Sequence, residues 1–250
     1  MGNRSDRSRV KAVETTLDIV EFLHEAGSGG IDEVAESVEI GTSTAHRHLT
    51  TLYERGYLVR DGKEYELSLR FLTHGGRRRE TLPANELIHK KVRQLSEETS
   101  ERVQFITEEH GERVYMYTHA GPDAVKTDST IGKRGPLHVS AAGKAILADL
   151  PAARRNEILD EITTLEAAER EALNEEIEII QDRGYAFNDE ESTSGLRAVG
   201  VPIRHKSDIV LGAISVSGPA NRLTGDYFRK ELPKLLLGTV NEIELNIEYL

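Results

Sequence analysis

The sequence contains no cysteine. Disulfides, thiol nucleophiles and thiolate metal sites are therefore excluded. No uninterrupted apolar run approaches the ~18 residues that a membrane-spanning helix needs. The first residues, MGNRSDRSRV, are polar and lack the apolar centre of a secretory signal. They begin Met-Gly, but Asp6 stands where a myristoylation motif carries Ser or Thr. HExxH and GxGxxG are missing, as are internal repeats and low-complexity tracts. Lysine is sparse, with 10 residues against 22 arginines. These absences lead to the expectation of a soluble, cytoplasmic protein with no membrane partner and no cofactor.

What is present is mostly acid. The 250 residues carry 43 Asp and Glu against 32 Lys and Arg, a formal net charge of -11. Residues 1–80 hold 12 basic and 14 acidic side chains, and the remaining 170 hold 20 and 29. The first part is thus close to neutral, at -2, and the second carries -9. Abundant carboxylates, few lysines and no cysteine suggest a cytoplasm of very high salt; stability that climbs with molar salt is the expected signature. Hydrophobic residues make up 38% of the chain, enough for the cores of one large domain or two modest ones.

Residues 13–26, VETTLDIVEFLHEA, place Val13, Leu17, Val20 and Leu23 at helical spacing before Gly27. GSGG at 27–30 reads as a turn. Ile31, Val34, Ala35 and Val38 then mark one face of a helix of about two turns. GTSTAHRHLTTL, residues 41–52, opens a third helix that Gly56 stops. YLVR and KEYELS flank Asp61-Gly62, a strong hairpin signal. Helix, helix, turn, helix and hairpin in this order describe a winged helix-turn-helix over residues 1–76. Residues 77–100 follow, with Leu87, Ile88, Val92 and Leu95 in a stripe and Pro83 suited to a first turn. They predict one long linker helix. Residues 101–250 predict an α+β domain. It comprises a hairpin, a helix opened by Ser140, two helices within 151–183, three further strands and a C-terminal helix that tolerates Pro233.

The third helix carries the nucleic-acid chemistry. Ala45, Leu49 and Leu52 face the core with His48. Thr42, Ser43, Thr44, His46, Arg47 and Thr50 are left for DNA. Recognition helices present their first residues to base edges; short hydroxyls suit phosphate oxygens and thymine methyls, and Arg pairs bidentately with guanine. Arg60 and Lys63 lie at the hairpin wing. Arg4, Arg7, Arg9 and Lys11, and the run Arg77-Arg78-Arg79, supply further positive charge. The alternative is an amphipathic helix with its polar face in water. In the second part, Ser140 is a good N-cap for Ala141, Ala142 and Gly143, whose free amides at a positive helix end attract an anion. Simple capping explains the same residues equally. Ser215 and Ser217 share a strand face with Ala213 and read either as a polar pocket lining or as a solvent-facing side.

Other chemistries compete weakly. Ser140-Ala-Ala-Gly-Lys144 is one residue longer than the S-x-x-K of acyl enzymes and lacks their partner motifs; a cap and a surface lysine explain it, and the acids of NDEES, 188–192, read as a solvated loop. His46 and His48 diverge on a helix and do not form a metal pair. A hydrolase-like or purely protein-binding α+β module with a helical appendage is the alternative to a DNA reader.

TLDIVEFL, IGTSTAHRHLTTLYERGYLVR and YELSLRFL in the first part, and GPLHVSAAGKAILADL, RGYAFNDEESTSGLRAVGVPIR and VLGAISVSGPANRLT in the second, resemble IclR-family transcriptional regulators along nearly the whole chain. The resemblance implies a winged helix, a linker helix and a GAF-like domain that binds a small effector, acting as a dimer or tetramer on palindromic double-stranded operators. It implies no enzymatic activity. It also implies a carboxylate-effector site at the amides of Ala141 and Ala142, at Ser215 and Ser217, and at positions occupied here by Asn188 and Ala198. Members that bind small keto acids have an acid and a cysteine at the last two, so the effector's identity does not carry over; small carboxylates, sugar acids and aromatic acids all remain open.

Overall fold

The computed structural model describes residues 9–162, 165–205 and 209–248. Arg4 and Arg7 lie outside the described residues. The chain divides into two compact units between Arg78 and Arg79. None of the helices among the described residues is long and apolar enough to cross a membrane.

The first unit packs α1 (Lys11–Ala26), α2 (Ile31–Ser37) and α3 (Thr42–Glu54) with the hairpin of β1 (Leu58–Asp61) and β2 (Glu64–Leu67). Ile19, Leu23, Val34, Ala35, Ala45, Leu49, Leu58 and Tyr65 form its core. The α1 face differs from expectation. Thr15, Ile19 and Leu23 are buried, whereas Val13 and Leu17 are 55% and 57% exposed. Two rows on this helix have the same spacing, and the partner helices select the row carrying Ile19. The hairpin forms, but its register pairs Asp61 with Glu64, so Gly62 and Lys63 make the turn and Gly62 takes the positive φ of 58°. GSGG is more than a turn: Gly29 and Tyr65 exchange two backbone hydrogen bonds of 3.0 Å, which adds a third rung beside the wing.

The expected single linker helix is two helices. The first, α4 (Arg70–Glu80), starts earlier than foreseen, and the second, α5, spans Asn85–Thr99. Between them Ala84 adopts the left-handed region at φ 54°. Pro83 precedes this N-cap residue and does not occupy the first turn. Proline disfavours helical geometry in the residue before it and lacks an amide, so the chain breaks there.

The second unit is built on a six-stranded antiparallel sheet in the order β5-β4-β3-β8-β7-β6. The strands are β3 (Arg102–Glu109), β4 (Glu112–Ala120), β5 (Arg134–Pro136), β6 (Ala186–Asp189), β7 (Leu196–His205) and β8 (Ile209–Pro219). Residues alternate between the two faces. Val103, Phe105, Val199, Val201, Ile214 and Val216 join α5 and α9 (Leu232–Glu248) in one core. Ile106 and Ala213 face the other way, toward α6 (Ala141–Asp149), α7 (Ala152–Glu161) and α8 (Ala167–Arg183). Each fully buried Leu, Ile or Phe contributes about 1.5–3 kcal/mol. Pro233 fits because a π-helical turn, Tyr227–Glu231, precedes it, which relaxes the ladder where proline has no amide to give.

Candidate functional site

The third helix presents the face that its sequence announced. Ala45 and Leu49 are buried and Leu52 is half-buried. His48 turns inward, its Nδ1 2.8 Å from Thr16 Oγ1. Thr42, Ser43, His46 and Arg47 are exposed, and Thr44 and Thr50 half-buried. Gly41 is the N-cap and offers no side-chain cap. Its carbonyl accepts from the amides of Thr44 and Ala45; the amides of Thr42 and Ser43 precede these first helical bonds and point outward with the positive end of the helix. The other end is held by a residue that the sequence did not single out: Arg70 donates to the Arg55 carbonyl and stacks over the Tyr57 ring.

The supporting basic residues separate into two groups. Lys63 sits exposed in the wing turn. Arg60 is drawn back, its Nε donating to the Gly62 carbonyl at 2.9 Å and its guanidinium lying over the Tyr65 ring, so part of its role is to hold the turn. Lys11 belongs to α1 and Arg9 pairs with Glu14. Of the run at 77–79, Arg79, which opens the second unit, lies over the Tyr117 ring of the same unit. A guanidinium is readily spent on an aromatic face where one is near.

In the second unit, register builds the site. Asn188 on β6 pairs with Ala198 on β7, and Ala198 with Ser217 on β8. One step along, Gly200 pairs with Ser215, and Ser215 with Gln104 on β3. These side chains share the sheet face beneath α6. The helix start sits directly on Gly200, where a Cβ would come within 2.5 Å of the Ala141 carbonyl carbon and the Ala142 nitrogen. Only glycine permits that approach, which seats the helix start on the strand position that pairs with Ser215. Ser140 caps the helix by accepting from the Gly143 amide at 3.1 Å, which leaves the amides of Ala141 and Ala142 uncapped.

All six residues expected at the second site, Ala141, Ala142, Asn188, Ala198, Ser215 and Ser217, line one cavity of about 720 Å³. The serines are not solvent-facing: Ser215 is buried, and Ser217 is 6% exposed. Ser215 Oγ is 3.4 Å from Gln104 Oε1; among the described residues no hydrogen bond holds the Ser217 hydroxyl. Asn188 is 2% exposed, and its Nδ2 donates to the Val139 carbonyl at 3.0 Å. The cavity also gathers residues that no motif marked, among them Gln104, Arg113, Tyr115 and Ser129. Arg113 donates to the Pro136 carbonyl, while its Nε is buried without a partner among the described residues. Beside it, burial pushes the His138 imidazole below its usual range; Arg113 adds to the shift and Glu169 opposes it.

The Ser140–Lys144 spacing holds no acyl-enzyme pair. Lys144, expected at the surface, is 1% exposed. Its ammonium donates to both oxygens of Glu176 at 2.8 and 2.9 Å and to Glu191 at 2.6 Å. Among the described residues the hydrogen bonds of this ammonium run to the two carboxylates and none runs to Ser140. The acids at 188–192 are correspondingly engaged: Asp189 pairs with Arg197 and Arg229, and Glu191 with Lys144. Outside the cavity, His89 Nε2 lies 3.1 Å from His119 Nε2. Among the described residues no group of three or more His, Cys, Asp or Glu converges to hold a metal.

Comparison with known proteins adds the family. Residues 12–62 match the IclR helix-turn-helix domain, and residues 80–245 match the C-terminal domain of bacterial IclR transcriptional regulators. The chain is 30% identical to the "Probable HTH-type transcriptional regulator ArcR" of Halobacterium salinarum, over 98% of this chain and 97% of that one. It is 27% identical to the transcriptional repressor IclR of Escherichia coli, over 95% and 90%. The crystal structure of Thermotoga maritima IclR aligns with a TM-score of 0.78 at 25% identity, covering 96% of this chain and 99% of that one. An IclR homologue from Microbacterium hydrocarbonoxydans, solved with 4-hydroxybenzoate, aligns with a TM-score of 0.80 at 18% identity over 96% and 100%.

Proposed function

The chain belongs to the IclR family of transcriptional regulators, and we propose that its grip on DNA is set by a small organic acid held in the second unit. DNA binding and transcriptional regulation come with the family and its helix-turn-helix; the families it matches are regulators, not enzymes. The observation that carries the effector reading is the cavity itself. Two uncapped amides, the free Ser217 hydroxyl and the buried Asn188 converge on a space of about 720 Å³, inside the range of ordinary ligand pockets. Neutral donors at a helix start suit a carboxylate, and Arg113 and Lys126 in the same lining add positive charge. The relative solved with 4-hydroxybenzoate is consistent with an acid as ligand.

Thr42, Ser43, Thr44, His46, Arg47 and Thr50 are the proposed DNA-reading face, with Lys63 and Arg60 at the wing. Two copies of the chain place two such helices in adjacent major grooves of a palindromic site. The exposed Val13 and Leu17 on α1, with Val10 at its N-cap, favour self-association, and a solution mass equal to one chain at operator-binding concentrations rules it out. The acid shifts DNA affinity, and by linkage operator DNA shifts acid affinity by the same factor. Thermal-shift screening of the full chain against small carboxylates, with and without operator DNA, tests the reading. Ser215→Ala with Ser217→Ala is expected to abolish the stabilisation and leave DNA affinity without ligand unchanged. Full stabilisation in that variant places the acid elsewhere.

A further inference from the structure

We propose that Thr16 of α1 holds His48 of α3 as its Nδ1–H tautomer, and that this tie sets the roll of α3 about its own axis and so the aim of the DNA-reading side chains; this rests on the exposed face of α3 being the reading face. The tautomer follows from counting hydrogens. Thr16 Oγ1 makes two short contacts, 2.7 Å to the Ala12 carbonyl and 2.8 Å to His48 Nδ1. A hydroxyl has one hydrogen, and a carbonyl can only accept. That hydrogen therefore goes to Ala12. The hydroxyl must then receive from His48, so Nδ1 carries the proton. The chain runs in one direction, from the imidazole through the hydroxyl to the backbone of α1.

Position gives the tie its role. α3 meets the core of its unit through Ala45 and Leu49, with Leu52 packed at the edge. Half-buried His48 sits on the flank of this stripe, and the exposed Ser43, His46 and Arg47 lie on the far side. Apolar burial is non-directional, and Ala45 is small, so packing alone determines the roll of the helix weakly. A hydrogen bond weakens steeply off line, and one placed on the flank resists that rotation. Base readout depends on it, because a bidentate arginine contact is set by direction as much as by distance. Among the described residues no other side-chain hydrogen bond joins α1 to α3.

Two measurements on the full chain test the proposal. Nitrogen NMR of histidine-labelled protein in mildly alkaline buffer, with the His48 signals assigned by their loss in His48→Leu, is expected to show Nδ1 protonated and Nε2 bare. The opposite tautomer overturns the tie. Duplexes selected from random sequence by the wild-type chain then report base preference at fixed salt. His48→Leu keeps an apolar flank and Thr16→Val keeps the shape, and each removes the tie. Both are expected to lower discrimination against single-base changes about tenfold, the scale of one bidentate contact, with non-specific affinity unchanged. His48→Asn carries a donor near the place of Nδ1 and Thr16→Ser keeps the hydroxyl, so these two should restore the preference. Full discrimination in His48→Leu and Thr16→Val overturns the positioning role. So does binding lost equally on every duplex, which marks a merely structural contact. A wild-type chain that selects no preferred duplex overturns the reading face itself.

Discussion

Replacing Glu176 and Glu191 together by glutamine strands the Lys144 ammonium. That side chain is 1% exposed, and its charge-assisted hydrogen bonds among the described residues all run to these two carboxylates. An uncompensated buried charge costs about 3–5 kcal/mol. Glutamine oxygens still accept, so the double variant belongs near the lower end. The reverse change behaves differently. Lys144→Met keeps the volume of the stem, and the carboxylates it leaves behind are 31% and 44% exposed, so water can solvate them. Its cost is about 1 kcal/mol, the scale of a solvent-accessible pair. For a unit of this size 1 kcal/mol corresponds to roughly 2–4 °C in melting temperature. Scanning calorimetry of the full chain should therefore show the second unit's transition lowered by about 6–12 °C in the double variant. It should fall by only a few degrees in Lys144→Met, and the triple variant should recover most of the loss. Burial makes the effect nearly independent of salt. If Lys144→Met alone destabilises as much as the double variant, the loss comes from packing rather than from a stranded charge, and the reasoning fails.

Two further outcomes follow from the geometry. Arg47→Ala should weaken operator binding by about 1–3 kcal/mol and relax preference at one base position, the scale of a bidentate base contact; unchanged affinity and preference in a titration at fixed salt removes Arg47 from the reading face. The second concerns pH. Burial first, then His119, Arg79 and Arg93, hold His89 below its ordinary value of 6.5. As pH falls beneath 6.5 the unfolded chain takes up a proton that the folded chain refuses, so this contribution is complete above 6.5 and is lost as pH drops toward the folded value. His138 shifts the same way. Melting temperature should thus fall from pH 7 to 5, less steeply in His89→Gln; an identical slope in the variant excludes His89 as a source.

Much of this molecule is legible in its sequence where the signal is local. Helix periodicity, the Asp61-Gly62 turn region and the Ser140 cap each constrain a few neighbouring residues, and those elements form. Alternation alone places Ser215 and Ser217 on the face of Ala213. What alternation cannot give is which strands become neighbours. Gln104 meets Ser215 across 111 positions, so β3's share of the cavity carries no local mark, nor do Arg113 and Tyr115 on β4. The α1 stripe failed for a related reason: two rows of equal spacing compete, and only tertiary contacts choose between them. Lys144 is the same problem in charge, since its burial depends on Glu176 from α8 and Glu191 from beyond β6.

Asn188 shows where legibility ends and function begins. Its position emerged from a resemblance, and the strand register sets it in one row with Ala198 and Ser217. Residue identity alone leaves an amide that both donates and accepts, compatible with keto, hydroxy or aromatic acids alike. The Val139 carbonyl takes one of the two Nδ2 hydrogens and fixes the orientation of the amide. Val139 lies just before the cap of α6, on the segment that carries the amides of Ala141 and Ala142. The segment proposed to bind the carboxylate therefore also orients the Asn188 amide, and a shift of this segment would disturb both. Under the proposed function, substitutions that loosen it should lower the thermal stabilisation that small carboxylates give and leave DNA affinity in their absence unchanged; full stabilisation in such a variant separates the acid from this segment.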